Sequence, residues 1–399
     1  MRAPGGLPIC VISSCYDPED LGGVGVLVRE ERKGLLRMGF PVHMIGAGAA
    51  TPGETGTTRV TGPKKLFPWA AALAYLKTRR RHRFGIVHSH EFSGAWVALI
   101  VRIERALTGR GPRIVTTMQC SFLRESRFLR AYRGEGLTFR ERIDKWIDFP
   151  FRYLEGVMGA RLSDRLVAVS RDSCRQISTD YATRAQRVPN GVDPDRFGPG
   201  VDGTAFRRDL GLEDAQLILF AGRFVGRKGV EYLLEAFARL TPRHPNARLL
   251  LVGRGRRDYS SQIRRLRISD RARILREVPH ERMPEIYAAA DIFCLPSLYE
   301  GLPLAILEAM AAGKPVISTR TDGIPEAIRQ GETGIVVPAG RVDPLCRAID
   351  LLLRSPRLRK RLGEAARRAV VSEYSWDRVV RDYGDLFQSM NHSRSQAAR

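Results

Sequence analysis

Two glutamates eight positions apart, Glu300 and Glu308, stand in the run YEGLPLAILEAMAAGKPV at 299–316. Gly301 and Pro303 open a turn, Leu304 to Ala312 are strong helix formers, and Gly313 and Pro315 stop them, so the spacing predicts a loop that enters a helix at Leu304. The free N–H groups at such a helix start carry partial positive charge and suit a phosphate. Glu300 falls in the loop just before them and Glu308 about two turns inside, so one carboxylate can meet the reacting end of a ligand and the other a second hydroxyl-bearing part. Two carboxylates beside a phosphate cradle suggest a sugar nucleotide. The plainer reading of the spacing alone is a buried apolar helix with two solvated acids.

A second segment, LILFAGRFVGRKGVEYLLEAF at 217–237, reads as a short apolar strand, a glycine-containing loop and an amphipathic helix. Its loop carries Arg223 and Lys228. Cations at the carboxyl end of a parallel strand, next to a helix start, suit anionic ligands. Arg brings a fork of donors and Lys a mobile point charge, a pair able to neutralise a diphosphate without a metal.

The elements that must hold these residues alternate strand-like and helix-like runs, which argues for an α/β fold with parallel sheets. PICVISS, FPVHMIG, GIVHSH, RIVTTM and RLVAVS form a first set of strands, and LILFAG, ARLLLVG, ARILRE, DIFCLPS, PVISTR and TGIVVP a second. A chain of 399 residues suits two such domains, with a boundary expected near Tyr181 to Val188.

Together with VPNGVDPDRF (188–197), SDRLVAVS (163–170), LLLVGRG (249–255), EIYAAADIFCLPSLYEG (285–301) and TDGIPEAIRQGETGIVVP (321–338), these segments closely resemble the retaining glycosyltransferases of family 4, over nearly the whole chain. LGGVG (21–25) and IVHSHEFSG (86–94) match more loosely. The resemblance implies the GT-B fold: two Rossmann-like domains, an acceptor-binding one at 1–185 and a nucleotide-sugar-binding one at 186–373, facing across a cleft. It further implies a helix at 374–388 that crosses back to the first domain, with a disordered tail at 389–399. By the same resemblance Arg223 and Lys228 bind the donor diphosphate and Glu300 meets the donor sugar hydroxyls. Glu308 would hold the ribose, and backbone N–H groups at Gly301, Leu302 and Leu304 would contact phosphate or sugar. His90, with His88 as its competitor, would contact the sugar near the reaction centre, and Gly22 and Gly23 would let backbone close on the diphosphate. The donor would be a UDP or GDP sugar, with no cofactor. No catalytic metal is expected, because Asp193 and Asp195 fall in a turn-forming PNGVDPD run. Replacing Lys228 or Glu300 with Ala is expected to cut transfer severely and leave the fold intact.

The formal net charge is +23 and the isoelectric point about 10.5. Cations interleave with bulky apolar residues at 64–84 and 124–153, including Trp69, Phe128, Trp146, Phe149, Phe151 and Tyr153. Such segments can lie in a membrane interface, where each cation contributes roughly 1 kcal/mol on anionic lipid. A peripheral enzyme on the cytoplasmic membrane's inner face, acting on a glycan or lipid-linked acceptor of a bacterial surface polysaccharide, is therefore expected. The competing explanation is a bias toward arginine on solvated faces. Nucleic-acid binding is the alternative from another class, but the cations are spread over both halves and no nucleic-acid motif is present. A GT-B sugar-nucleotide epimerase is the alternative within the fold. Six scattered cysteines read as reduced thiols, and no apolar run reaches the roughly 20 residues of a membrane span, which points to the cytoplasm.

Overall fold

The computed structural model describes residues 7–16, 22–50, 53–131 and 139–397, with side chains described throughout these except at 129–147 and 391–397. The chain folds as two compact units, which divide between Asn190 and Gly191 and again between Ser375 and Trp376.

The first unit holds a seven-stranded parallel sheet in the order β3-β2-β1-β4-β5-β6-β7. Its strands are β1 Ile9–Ser13, β2 Val42–Ala47, β3 Thr57–Val60, β4 Ile86–His90, β5 Arg113–Met118, β6 Arg165–Ala168 and β7 Ala185–Arg187. Every residue of β1 and β4 is buried, as both faces of a parallel sheet are covered by its crossover helices. The second unit holds a six-stranded parallel sheet in the order β10-β9-β8-β11-β12-β13. Here the strands are β8 Gln216–Ala221, β9 Ala247–Val252, β10 Ala272–Leu275, β11 Ile292–Leu295, β12 Val316–Thr319 and β13 Gly334–Val337. Strand order reverses between β1 and β4 in one sheet and between β8 and β11 in the other. Such switch points leave a crevice outside the strands' carboxyl ends, where ligands of open α/β sheets bind.

The units meet the chain differently from the sequence reading. The division falls at Asn190 because β7 pairs with β6 as the outer strand of the first sheet. The last helix, Trp376–Ala397, belongs to the first unit and continues beyond the point at which the sequence reading ends it. No glycine or proline follows Gly384, so nothing in the sequence breaks it. The basic, aromatic-rich stretch at 124–153 is largely helical, within Phe122–Ala131 and Phe139–Leu162.

Candidate active site

In the second unit the loop after β8 and the loop after β11 meet at the switch point. Gly229 makes this possible: its φ is +66°, and a Cβ there would stand 2.2 Å from the Pro296 carbonyl oxygen, a separation no side chain tolerates. Leu298 N–H donates to the Arg227 carbonyl (2.7 Å), joining the two loops directly. From below, Ser318 Oγ donates to the Leu295 carbonyl at 2.6 Å and Thr319 Oγ1 to that of Ser297. From the side, Glu300 N–H donates to Asp322 Oδ2 (2.9 Å) and Gly323 N–H to the Gly301 carbonyl (3.0 Å). Glu300 and Gly301 are therefore both tied to the segment after β12.

The clamped loops bring Lys228 and Glu300 into contact, Lys228 Nζ lying against Glu300 Oε1. Arg227 Nη1 lies 3.6 Å from the other carboxylate oxygen, and Ser297 Oγ donates to Oε1 at 3.0 Å. Glu300 is 6% exposed. Burial opposes its ionisation, but the Lys228 ammonium and Arg227 guanidinium outweigh that and hold its carboxyl below the usual range. Burial likewise lowers the affinity of Lys228 for its proton, and Glu300 opposes the shift. Arg223 is exposed on the same loop. Leu302 is buried, and the helix Leu304–Ala311 starts after Pro303, as the sequence predicts. Glu308, inside that helix, accepts from Tyr287 Oη at 2.8 Å. Its carboxyl is buried and pushed up to about 7, chiefly by loss of water, with the Tyr287 hydrogen bond and Arg196 pulling the other way. Asp193 Oδ1 accepts from the N–H groups of Asp195 and Arg196, both at 3.0 Å, which is turn chemistry.

In the first unit, Gly22 and Gly23 open the helix Gly23–Arg37 after β1. Gly22 has φ −74°, and a Cβ there would meet nothing within 4 Å. His90 ends β4 but is 1% exposed, with Nε2 3.2 Å from Glu31 Oε2. Its side chain is enclosed within the unit, beside His88 and Glu31.

The description "Glycosyl transferases group 1" matches residues 202–369, and "Glycosyltransferase Family 4" matches 21–196. A D-inositol 3-phosphate glycosyltransferase of Geodermatophilus obscurus is 31% identical, over 90% of this chain and 83% of its own. This chain is a GT-B glycosyltransferase of the family 4 type. A GDP-mannose-dependent monoacylated alpha-(1-6)-phosphatidylinositol monomannoside mannosyltransferase of Corynebacterium glutamicum shares 34% identity with this glycosyltransferase, over 57% of the present chain and 62% of its own. The crystal structure of Anabaena HepE in complex with UDP-glucose superposes with a TM-score of 0.75 at 17% identity, covering 96% of the glycosyltransferase and all of that chain.

Four residues of this enzyme's site escape the sequence reading. Arg227 stands next to Lys228 and was visible in GRKG, and Ser297 lies three residues before Glu300 in the same loop, whereas Asp322 and Tyr287 reach Glu300 and Glu308 from other elements. Glu31 did leave a signal. It occupies a buried position of the helix Gly23–Arg37, in line with Leu27, Val28 and Leu35, where an apolar residue is the rule.

Proposed function

We propose that this glycosyltransferase moves a sugar from a UDP or GDP donor to an acceptor hydroxyl with retention of anomeric configuration and without a catalytic metal. The observation that carries the reading is the Lys228, Arg227 and Glu300 cluster at the switch point between β8 and β11. Binding of the diphosphate draws Lys228 from Glu300 toward phosphate oxygens, with Arg223 and Arg227 beside it. The freed carboxylate of Glu300 then accepts from donor-sugar hydroxyls, and Glu308 from the ribose. Backbone N–H groups at Leu302 and Leu304 and the side-chain-free Gly22 and Gly23 face phosphate or sugar in this reading.

As the bond from the anomeric carbon to the diphosphate oxygen breaks, the cations stabilise the charge left on the diphosphate. The acceptor oxygen bonds to the anomeric carbon from the same face, and its proton passes to the departing phosphate. The HepE complex with UDP-glucose and the GDP-mannose dependence in the Corynebacterium protein's name support a nucleotide-sugar donor.

For the acceptor we favour a lipid or lipid-linked glycan at an anionic membrane surface, of the kind used in bacterial surface polysaccharide assembly. Support comes from the first unit, where Leu66, Trp69 and Leu73 are 57%, 49% and 63% exposed on one helical segment, flanked by exposed Lys65, Lys77, Arg80 and Arg81. Among the described residues no helix is long and apolar enough to cross a membrane. Phe151 is exposed in the second basic-aromatic stretch, while Trp146 lies outside the residues whose side chains are described.

A thermal-shift panel of UDP, GDP, ADP and their sugars tests the donor, because a ligand of the folded state raises the melting temperature. UDP or GDP should give the largest rise, and no rise with any nucleotide removes the reading. NMR of the product's anomeric centre tests retention, and inversion refutes it. Co-sedimentation with anionic vesicles, weakened by salt and by Trp69→Ala with Leu73→Ala, tests the acceptor surface. Equal recovery in the supernatant with anionic and neutral vesicles leaves a soluble acceptor.

A further inference from the structure

The first unit encloses a cluster outside the donor contacts proposed above. His88 and His90 alternate on β4, so both side chains leave the same face of the strand. Their rings stand 4.5 Å apart, centroid to centroid. Glu31 reaches them from the helix Gly23–Arg37, with Oε1 2.8 Å from His88 Nδ1 and Oε2 3.2 Å from His90 Nε2. One donor atom from each of the three residues lies within 4.8 Å of the others. All three side chains are buried, at 0–1% exposure.

Close as they are, these atoms are not aligned for good hydrogen bonds: His88 Nδ1, both nitrogens of His90 and both oxygens of Glu31 have no partner of proper geometry, and Glu31 faces the rings chiefly as a charge. Leaving five such buried atoms unsatisfied is costly, each by roughly 1–3 kcal/mol. The remaining nitrogen of the His88 ring does have a partner. Its Nε2 lies 2.8 Å from Thr117 Oγ1, which lies 3.0 Å from Tyr383 Oη on the last helix. A metal-bound imidazole is oriented in this way through its second nitrogen.

We propose that Glu31, His88 and His90 bind a first-row divalent transition metal, zinc being the best match, as a structural centre of the first unit. Two imidazole nitrogens with a carboxylate suit zinc or its neighbours, whereas magnesium and calcium prefer all-oxygen sites. A cation between them gives one nitrogen of each ring and the carboxylate a partner. It also ties the helix that begins at Gly23 to the strand that ends at His90. The inference gives His90 an internal role in place of a sugar contact, and it stands independently of the donor reading.

Untagged protein purified without chelator should carry about one zinc per chain by elemental mass spectrometry, the content of a single three-ligand site. Stripping with chelator should lower the melting temperature, and zinc but not magnesium should restore it. Cobalt(II) added to the stripped protein should give visible ligand-field bands. Glu31→Gln and His90→Gln, verified as folded by circular dichroism, should lose the bound zinc and the cobalt bands. Should either variant fail to fold, the cobalt spectrum of the wild-type protein still decides, because nitrogen and oxygen ligation lacks the intense thiolate charge-transfer absorption of a cysteine site. Folded wild-type protein with background metal only, no cobalt bands and no zinc-dependent melting shift overturns the proposal. So does metal that the folded variants retain in full.

Discussion

At the scale of single residues, the buried contact between Lys228 and Glu300 makes stability and activity separable. Removing one partner of a buried ion pair strands the other charge and typically costs about 3–5 kcal/mol. Arg227, 3.6 Å from the same carboxylate, offsets part of that. Lys228→Ala should therefore lower the urea midpoint, contrary to the expectation from sequence that the fold is indifferent to it. Lys228→Ala combined with Glu300→Gln should recover most of the loss, and neither protein should transfer sugar. A wild-type midpoint for Lys228→Ala would show that Glu300 keeps adequate compensation without its lysine. Glu308 adds a pH dependence of defined sign. Its carboxyl moves from 4.5 to about 7 on folding, chiefly through burial. The folded state thus holds the proton more tightly than the unfolded chain, and the associated stability is complete below pH 4.5 and lost as the pH rises through about 7. At 1.36 kcal/mol per pH unit the loss is on the order of 3 kcal/mol. Denaturant titrations between these pH values should show this slope in the wild type, and Glu308→Gln should flatten it.

At the scale of elements, two glycines sort conformational need from ligand room. Gly229 is forced by its positive φ and by the Pro296 carbonyl, so Gly229→Ala should part the β8 and β11 loops, costing roughly 1–3 kcal/mol and most of the nucleotide affinity. Gly22→Ala meets no atom of the chain and should leave the urea midpoint unchanged. A loss of nucleotide binding in that variant would then report the ligand itself, while full binding removes Gly22 from the site. The same contrast explains how much could be read from sequence. Strands such as β1, β8 and β11 are continuous apolar runs, and the helix after Pro303 is bracketed by its own stop residues, so these were legible. β3 (TTRV) and β7 (AQR) were not, because outer strands bury little and carry no apolar run. Glu300 and Lys228 could be named from the sequence, but not their direct contact. That contact depends on hydrogen bonds between loops about 70 residues apart, such as Leu298 to Arg227, which leave no local pattern.

At the scale of the whole molecule, the first unit is assembled from both ends of the chain. Its last helix contacts the first one so closely that a Cβ on Gly34 would fall 2.3 Å from Val380 Cγ2, and its Tyr383 and Phe387 rings stand beside His88. Deleting residues 376–399 should therefore loosen a sheet whose strands were all made hundreds of residues earlier. Hydrogen exchange should accelerate in β1 and β4 and stay unchanged in β8 and β11. Uniform protection in the shortened protein would show the first unit to be self-sufficient. This discontinuity has a consequence for biosynthesis. Domains usually mature in the order in which the ribosome delivers them. Here all six strands of the second sheet, β8 to β13, come from the stretch Gly191–Ser375 and can pair as soon as it emerges. The earlier strands of the first unit must wait, with Val28 and Leu35 on an incompletely covered helix, until Trp376–Ala397 has been translated. Ribosome stalling or premature termination before Trp376 should therefore damage the unit whose strands were translated earlier.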